Sequence, residues 1–194
     1  MVLLVSILAG IIAGLVNARR QGLAYQAPDL KITWLAVVAF LPQLFAFYLP
    51  ATRAWLSDSL AAMCLLISQG LLLVFAYANR KLIGMWLLIG GLALNLAVIS
   101  FNGGFMPISP QTATHLVPSS VVQSIPLGSR FGESKDILLP PEDTRLEWLA
   151  DRFLLPKWFP SRVAFSLGDL LIAVGAFWLL ATQRSQSQKK EDIS

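Results

Sequence analysis

Five long apolar blocks set the terms for this chain. They cover about residues 1–16, 32–49, 60–78, 82–101 and 163–181. Each is about 17–20 residues long, which at helical rise matches a hydrocarbon core of about 30 Å. An open strand in lipid would leave its backbone groups unpaired, so helix is the required form. Charged residues are only 13% of the chain and hydrophobic ones 56%, against about 25% and 45–50% in a soluble domain. The expected fold is all-α: a polytopic membrane bundle of about five transmembrane helices. Residues 1–182 form one membrane domain, and the polar stretch 183–194 is a disordered tail.

The 15 Lys and Arg exceed the 11 Asp and Glu, for a net charge of +4. They sit at block ends and form no stripe, which excludes nucleic acid as a partner. Their placement sets orientation instead. Arg19, Arg20, Lys31, Arg80, Lys81, Arg184, Lys189 and Lys190 fall on one side, whereas the short link between the second and third blocks holds only Arg53. The positive-inside rule puts the first group in the cytoplasm. The protein is then expected to be a multi-pass protein of the cell (cytoplasmic) membrane, N-terminus outside and C-terminus inside. A cleaved signal peptide is not expected, because no positive charge precedes the first block while Arg19 and Arg20 follow it. Trp34, Trp86 and Trp178 fall near inner span ends, and Trp55 and Trp158 in outer connections, as amphipathic rings prefer.

The long segment 102–162 lies outside. It holds eight of the eleven prolines, which argues against long regular structure. One short amphipathic helix is expected in it. Thr144-Arg145-Leu146-Glu147 reads as a capping box, followed by Leu146, Leu149, Ala150 and Phe153 at helical spacing.

Few residues carry chemistry. Asp169 lies within the last apolar block, and an ionisable group there is a functional candidate by default. It also belongs to Ser166-Leu167-Gly168-Asp169, so a helix starting at Ser166 would use it as a cap. Asn102-Gly103-Gly104-Phe105-Met106-Pro107 follows the fourth block. It reads either as a helix C-cap with a sharp turn or as a backbone nest able to hold an anion. Asp169 is placed to accept from the N–H groups of Gly103 or Gly104, or from Asn102. Gln43, Gln69 and Asn95 are expected to hydrogen-bond between helices, Pro42 to kink the second span, and Gly10 and Gly14 to allow close packing within the bundle. Glu142, Asp143, Glu147 and Asp151 alternate with arginines and read as a solvated face. Cys64 reads as apolar filler. His115 has no partner at metal-site spacing, so neither metal nor cofactor is expected. No nucleophile, phosphate-loop or dinucleotide motif is present.

On the Asn102–Pro107 turn and the Ser166–Asp169 opening, the chain resembles a family of small bacterial integral-membrane proteins of unknown function. Its members share an Asn-Gly-Gly-x-Met-Pro turn after a late span and a Ser-x-Gly-Asp motif in the last. The resemblance implies a multi-span membrane protein in which Asn102, Gly103, Gly104, Met106, Pro107, Ser166, Gly168 and Asp169 belong to one family-typical site. With no catalytic constellation, the leading expectation is a non-catalytic accessory or assembly subunit whose partners are the lipid bilayer and other membrane subunits. The alternative is a protein that binds or transports a small ligand or ion at the outer mouth of the bundle.

Overall fold

The computed structural model describes residues 1–53, 55–156, 159 and 161–182. Trp158 and the 183–194 tail, with Arg184, Lys189 and Lys190, lie outside the described residues. The chain is mostly helical. Helix α1 is Val2–Arg20, and α2 is Thr33–Gln43, continued by a π-helical stretch, Leu44–Tyr48. The short α3 is Pro50–Arg53, followed by α4, Asp58–Ala78, and α5, Met85–Phe101. The segment after α5 holds β1 (Met106–Ile108), α6 (Pro110–Ala113), α7 (Ser119–Ser124), β2 (Asp136–Leu138), two 3-10 turns (Pro141–Asp143, Glu147–Leu149) and β3 (Phe153–Leu154). Strand β4 (Ala164–Phe165) leads into α8, Leu167–Ala181. Two helices, α1 and α4, are long and apolar enough to cross a bilayer, whereas Thr33–Tyr48, α5 and α8 are apolar but shorter.

The long helices pack as a row in the order α2, α4, α5, α8, α1. Glycine makes the close approaches possible. A Cβ at Gly10 would stand 2.8 Å from the Phe177 carbonyl oxygen, and one at Gly14 would stand 2.5 Å from that of Leu180, both on α8. Gly10 and Gly14 therefore join α1 to its own bundle. Between α5 and α8, Gly84 faces Gly175 and Gly91 faces Gly168 at similarly short range.

Pro42 lies inside α2, where it has no N–H to give to the preceding turn. The helix widens into the π-helical stretch immediately afterwards, and the Ser68 hydroxyl of α4 donates to the Ala39 carbonyl while accepting from Gln43 Nε2. Gln43 is thus paired between helices, but Gln69 Oε1 is buried without a partner.

One end of the row collects the α1 C-terminus, the start of α2, the α4–α5 turn and the end of α8. Tyr25 donates to the Leu180 carbonyl there, and Asn79 holds both the N–H and the C=O of Lys31. The segment after α5 caps the opposite end. Arg130 is docked on Asp58 at 3.1 Å and stacks over Phe47 and Phe105, and Arg53 pairs with Glu133. This lid has its own small core of Ile108, Ala113, Val122 and Leu138.

Two boundaries differ from the sequence expectation. The block taken to begin at 163 starts as strand: Ala164 and Phe165 pair antiparallel with Leu154 and Phe153, and helix begins only at Leu167. The amphipathic helix expected from Thr144 is replaced by the single 3-10 turn Glu147–Leu149. Thr144 donates its hydroxyl to the Pro140 carbonyl rather than capping a helix, and Leu146 is left-handed at φ 56°. Tertiary contacts override the local signal. Asn102 holds the Arg145 backbone, the Asp151 N–H bonds to the Pro107 carbonyl, and Phe153 is drawn into strand.

Candidate functional site

The Asn102 turn is first of all a helix stop. Gly103 and Gly104 have φ of 73° and 87°, values that glycine reaches without a Cβ clash. The Gly104 N–H bonds back to the Ile99 carbonyl at 2.9 Å, the six-to-one bond of a Schellman cap. A Cβ at Gly104 would stand 2.5 Å from Ala62 Cβ, so the turn sits directly on α4. The Asn102 carboxamide, only 6% exposed, donates to Val98 and Arg145 carbonyls and accepts from the Arg145 N–H. It therefore satisfies three backbone groups that a helix end and a loop would otherwise leave open. It does not reach Asp169.

Asp169 is placed by a full capping box: its N–H bonds to Ser166 Oγ at 3.0 Å, and its carboxylate accepts from the Ser166 N–H at 3.2 Å. The other carboxylate oxygen accepts from Asn95 Nδ2 at 2.8 Å, while Asn95 Oδ1 accepts from Ser166 Oγ at 2.9 Å. The expected donors, Gly103, Gly104 and Asn102, are thus replaced by Asn95, about two turns earlier on α5. Gly168 makes the contact possible, since a Cβ there would lie 2.0 Å from Asn95 Oδ1.

Met106 and Pro107 lead to a group that the sequence did not single out. Strand β1 is paired in parallel with β2, Met106 opposite Asp136, and forms a bridge on its other side between Ile108 and Asp151. The Met106 N–H bonds to the Lys135 carbonyl and the Pro107 carbonyl accepts from Asp151, each at 3.0 Å. The buried strand thereby sets Lys135 and Asp151 side by side. Lys135 Nζ is 2.8 Å from Asp151 Oδ2 and 3.1 Å from Asp136 Oδ1.

Asp151 is 2% exposed, which corrects its reading as part of a solvated face; Glu142, Asp143 and Glu147 are exposed as expected. Its second oxygen, Oδ1, is buried without a hydrogen-bond partner. Burial pushes the Asp151 carboxyl up to about 7; Lys135 pulls against this, and Asp136 and Asp169 reinforce it. Partial burial alone would lower the Lys135 ammonium. The carboxylates of Asp136, Asp151 and Asp169 outweigh that and hold it well above its ordinary value. One ammonium thus pairs with two carboxyl groups and feels the charge of a third, Asp169, an arrangement that favours uptake of a positive charge.

A cleft of about 240 Å³ opens beside Lys135 and Asp136, with Ser134 on the lid side and Gln43, Phe47 and Tyr48 opposite. Among the described residues no three His, Cys, Asp or Glu side chains are grouped so as to hold a metal ion. His115 is exposed. No spacing rule links Lys135 and Asp136 to Asp151. No sequence signal marked the cluster, because the proximity of these charges to the buried strand arises only on folding.

No curated protein and no solved structure matches this chain. Over residues 28–181, which include the Asn102 turn, the charge cluster and the Ser166–Asp169 cap, it matches a family of unknown function. The chain belongs to that family, DUF5317.

Proposed function

We propose that this is a polytopic membrane protein whose lid binds a small ion or ligand at the outer mouth of the bundle. Helices α1, α2 with its π-helical end, α4, α5 and α8 cross the cytoplasmic membrane, N-terminus out and C-terminus in, and residues 102–162 form the outer lid. A single row of helices leaves two broad apolar faces, with Ile12 61%, Val37 64% and Trp86 64% exposed. Water tolerates no such continuous surface on a monomer, and lipid covers it at no cost. The shorter helices are accommodated by modest bilayer thinning or by their flanking residues. The basic residues Arg19, Arg20, Lys31, Arg80 and Lys81 lie at the end opposite the lid, which supports the assigned orientation.

The observation that carries the binding reading is Asp151. A carboxylate 2% exposed, with one oxygen unpartnered and two further acids nearby, is an expensive arrangement unless a proton or another cation joins it. The adjoining cleft is lined by Lys135 and Asp136 of the same cluster, so a ligand entering it would meet Asp151 through Lys135. The accessory-subunit reading drew on small-residue helix faces, and Gly10, Gly14, Gly84, Gly91, Gly168 and Gly175 are all used within the bundle.

Two measurements test the proposal. In a Cys64→Ala background, a cysteine at Glu133 should react with an impermeant maleimide from the cell exterior, and one at Lys81 should not; the reverse pattern would overturn the topology. Infrared difference spectra of the purified protein, taken on either side of pH about 7, should show a buried protonated carboxyl that disappears in Asp151→Asn. A spectrum identical in wild type and variant would remove Asp151 from the site.

A further inference from the structure

Two turns at opposite ends of the helix row are built alike. Lys31-Ile32-Thr33-Trp34-Leu35 and Arg145-Leu146-Glu147-Trp148-Leu149 share the order basic, aliphatic, variable, Trp, Leu. In each, a helix-ending Asn holds both backbone groups of the basic residue: Asn79 of α4 holds Lys31, and Asn102 of α5 holds Arg145. Each Asn also donates to the carbonyl four residues before it, Phe75 or Val98. In each, the next residue is left-handed, Ile32 at φ 47° and Leu146 at φ 56°, and these two are the only non-glycine residues with positive φ among the described residues.

The same construction gives the same display. Trp34 is 64% exposed and Trp148 56%, whereas Leu35 and Leu149 are buried. Lys31 and Arg145 are exposed beside their tryptophans. Asn79 and Asn102 bracket α5, whose 17 residues span about 25 Å, close to a hydrocarbon thickness of about 30 Å.

We propose that Lys31 with Trp34 and Arg145 with Trp148 are a matched pair of bilayer anchors, one seated in the phospholipid headgroup layer of each leaflet. An indole prefers that layer because its ring is apolar and its N–H is polar, and a neighbouring cation meets the headgroup phosphate. A flexible loop would present these groups in many orientations. The clamped left-handed turn presents them in one, and at a set spacing across the bundle. The lid therefore rests its 145–148 turn on the outer membrane surface rather than standing in water. Trp55, 89% exposed just before α4, adds a second indole at that end. The proposal rests on the membrane part of the reading above and is independent of the ion site.

The test uses the full chain in phosphatidylcholine nanodiscs, keeping Trp34 or Trp148 as the single tryptophan and replacing the others by Phe. Lipids brominated near the headgroup should quench both residues more strongly than lipids brominated near the chain end. Asn102→Leu should abolish the preference at Trp148 and leave it at Trp34, and Asn79→Leu should do the reverse. If the single-Trp chains do not fold, 5-fluorotryptophan in the otherwise unchanged chain, read against paramagnetic lipids, gives the same comparison. Quenching of Trp148 by aqueous iodide and not by lipid, or most strongly by the deep label, would overturn the anchor while leaving the membrane reading intact. Absence of lipid quenching in further single-tryptophan chains that keep Trp86 or Trp178, together with its absence at Trp34, would instead remove the membrane reading.

Discussion

Gly90 and Gly91 are neighbours on α5, and replacing each by Ala should have opposite effects. A Cβ at Gly90 meets nothing within 4 Å. At Gly91 it would stand 2.5 Å from the Gly168 carbonyl oxygen, 2.7 Å from Ile172 Cγ1 and 2.9 Å from the Ile172 N. Two of those atoms are backbone, so relief requires α8 to move away from α5. Overpacking of this kind costs about 1–3 kcal/mol. The displacement would also stretch the contacts one turn along, Asn95 to Asp169 at 2.8 Å and Ser166 to Asn95 at 2.9 Å. Losing both adds about 1–3 kcal/mol. Gly91→Ala should therefore destabilise by about 2–5 kcal/mol after the modest gain of Ala over Gly in a helix, whereas Gly90→Ala should range from neutral to about 1 kcal/mol more stable. Equilibrium unfolding in mixed micelles with increasing SDS, followed by circular dichroism, measures the difference. Equal effects within about 0.5 kcal/mol, the usual spread of surface substitutions, would refute the packing of α5 on α8 described here.

The pH dependence of stability follows from Asp151. Its folded pKa of about 7 lies above the ordinary 3.8, so the folded protein holds a proton that the unfolded chain releases between those values. Stability should fall as pH rises from about 4 to about 7 and level off above, by up to about 4 kcal/mol for a shift of about three units. Thermal unfolding across that range should show the slope in wild type, and Asp151→Asn should flatten it. Asn79→Leu and Asn102→Leu each leave three backbone groups without partners and should each lower stability by about 2–4 kcal/mol, with hydrogen exchange rising at Lys31 in the first and at Arg145 in the second. Ser166→Ala removes the side-chain cap of α8 and should cost about 0.5–2 kcal/mol. Faster exchange confined to the Asp169 and Leu170 amides would distinguish this from global loosening.

The apolar helices were legible because run length and hydrophobicity can be read along one dimension. So was the helix stop at Asn102, since two glycines after a long apolar run satisfy a local conformational need at φ 73° and 87°. The cap at Ser166 was legible as one of two alternatives, and tertiary structure chose it by turning Ala164 and Phe165 into strand. The turn at Thr144 was misleading for the converse reason. Its local pattern favours helix, but Asn102 and Pro107 hold its backbone in a form that no helix can adopt.

From its residues alone the chain determined where it is apolar, where α5 stops, and which ends gather positive charge, because each is a property of neighbours in sequence. Folding alone decided the partnerships that make up the candidate site and hold the helix row together. Lys135 meets Asp151 across 16 residues, Asn102 meets Arg145 across 43, Asn79 meets Lys31 across 48 and Asn95 meets Asp169 across 74. Such contacts depend on the closure of distant segments and on glycines that let helices approach, and no pattern local to either partner encodes the distance between them.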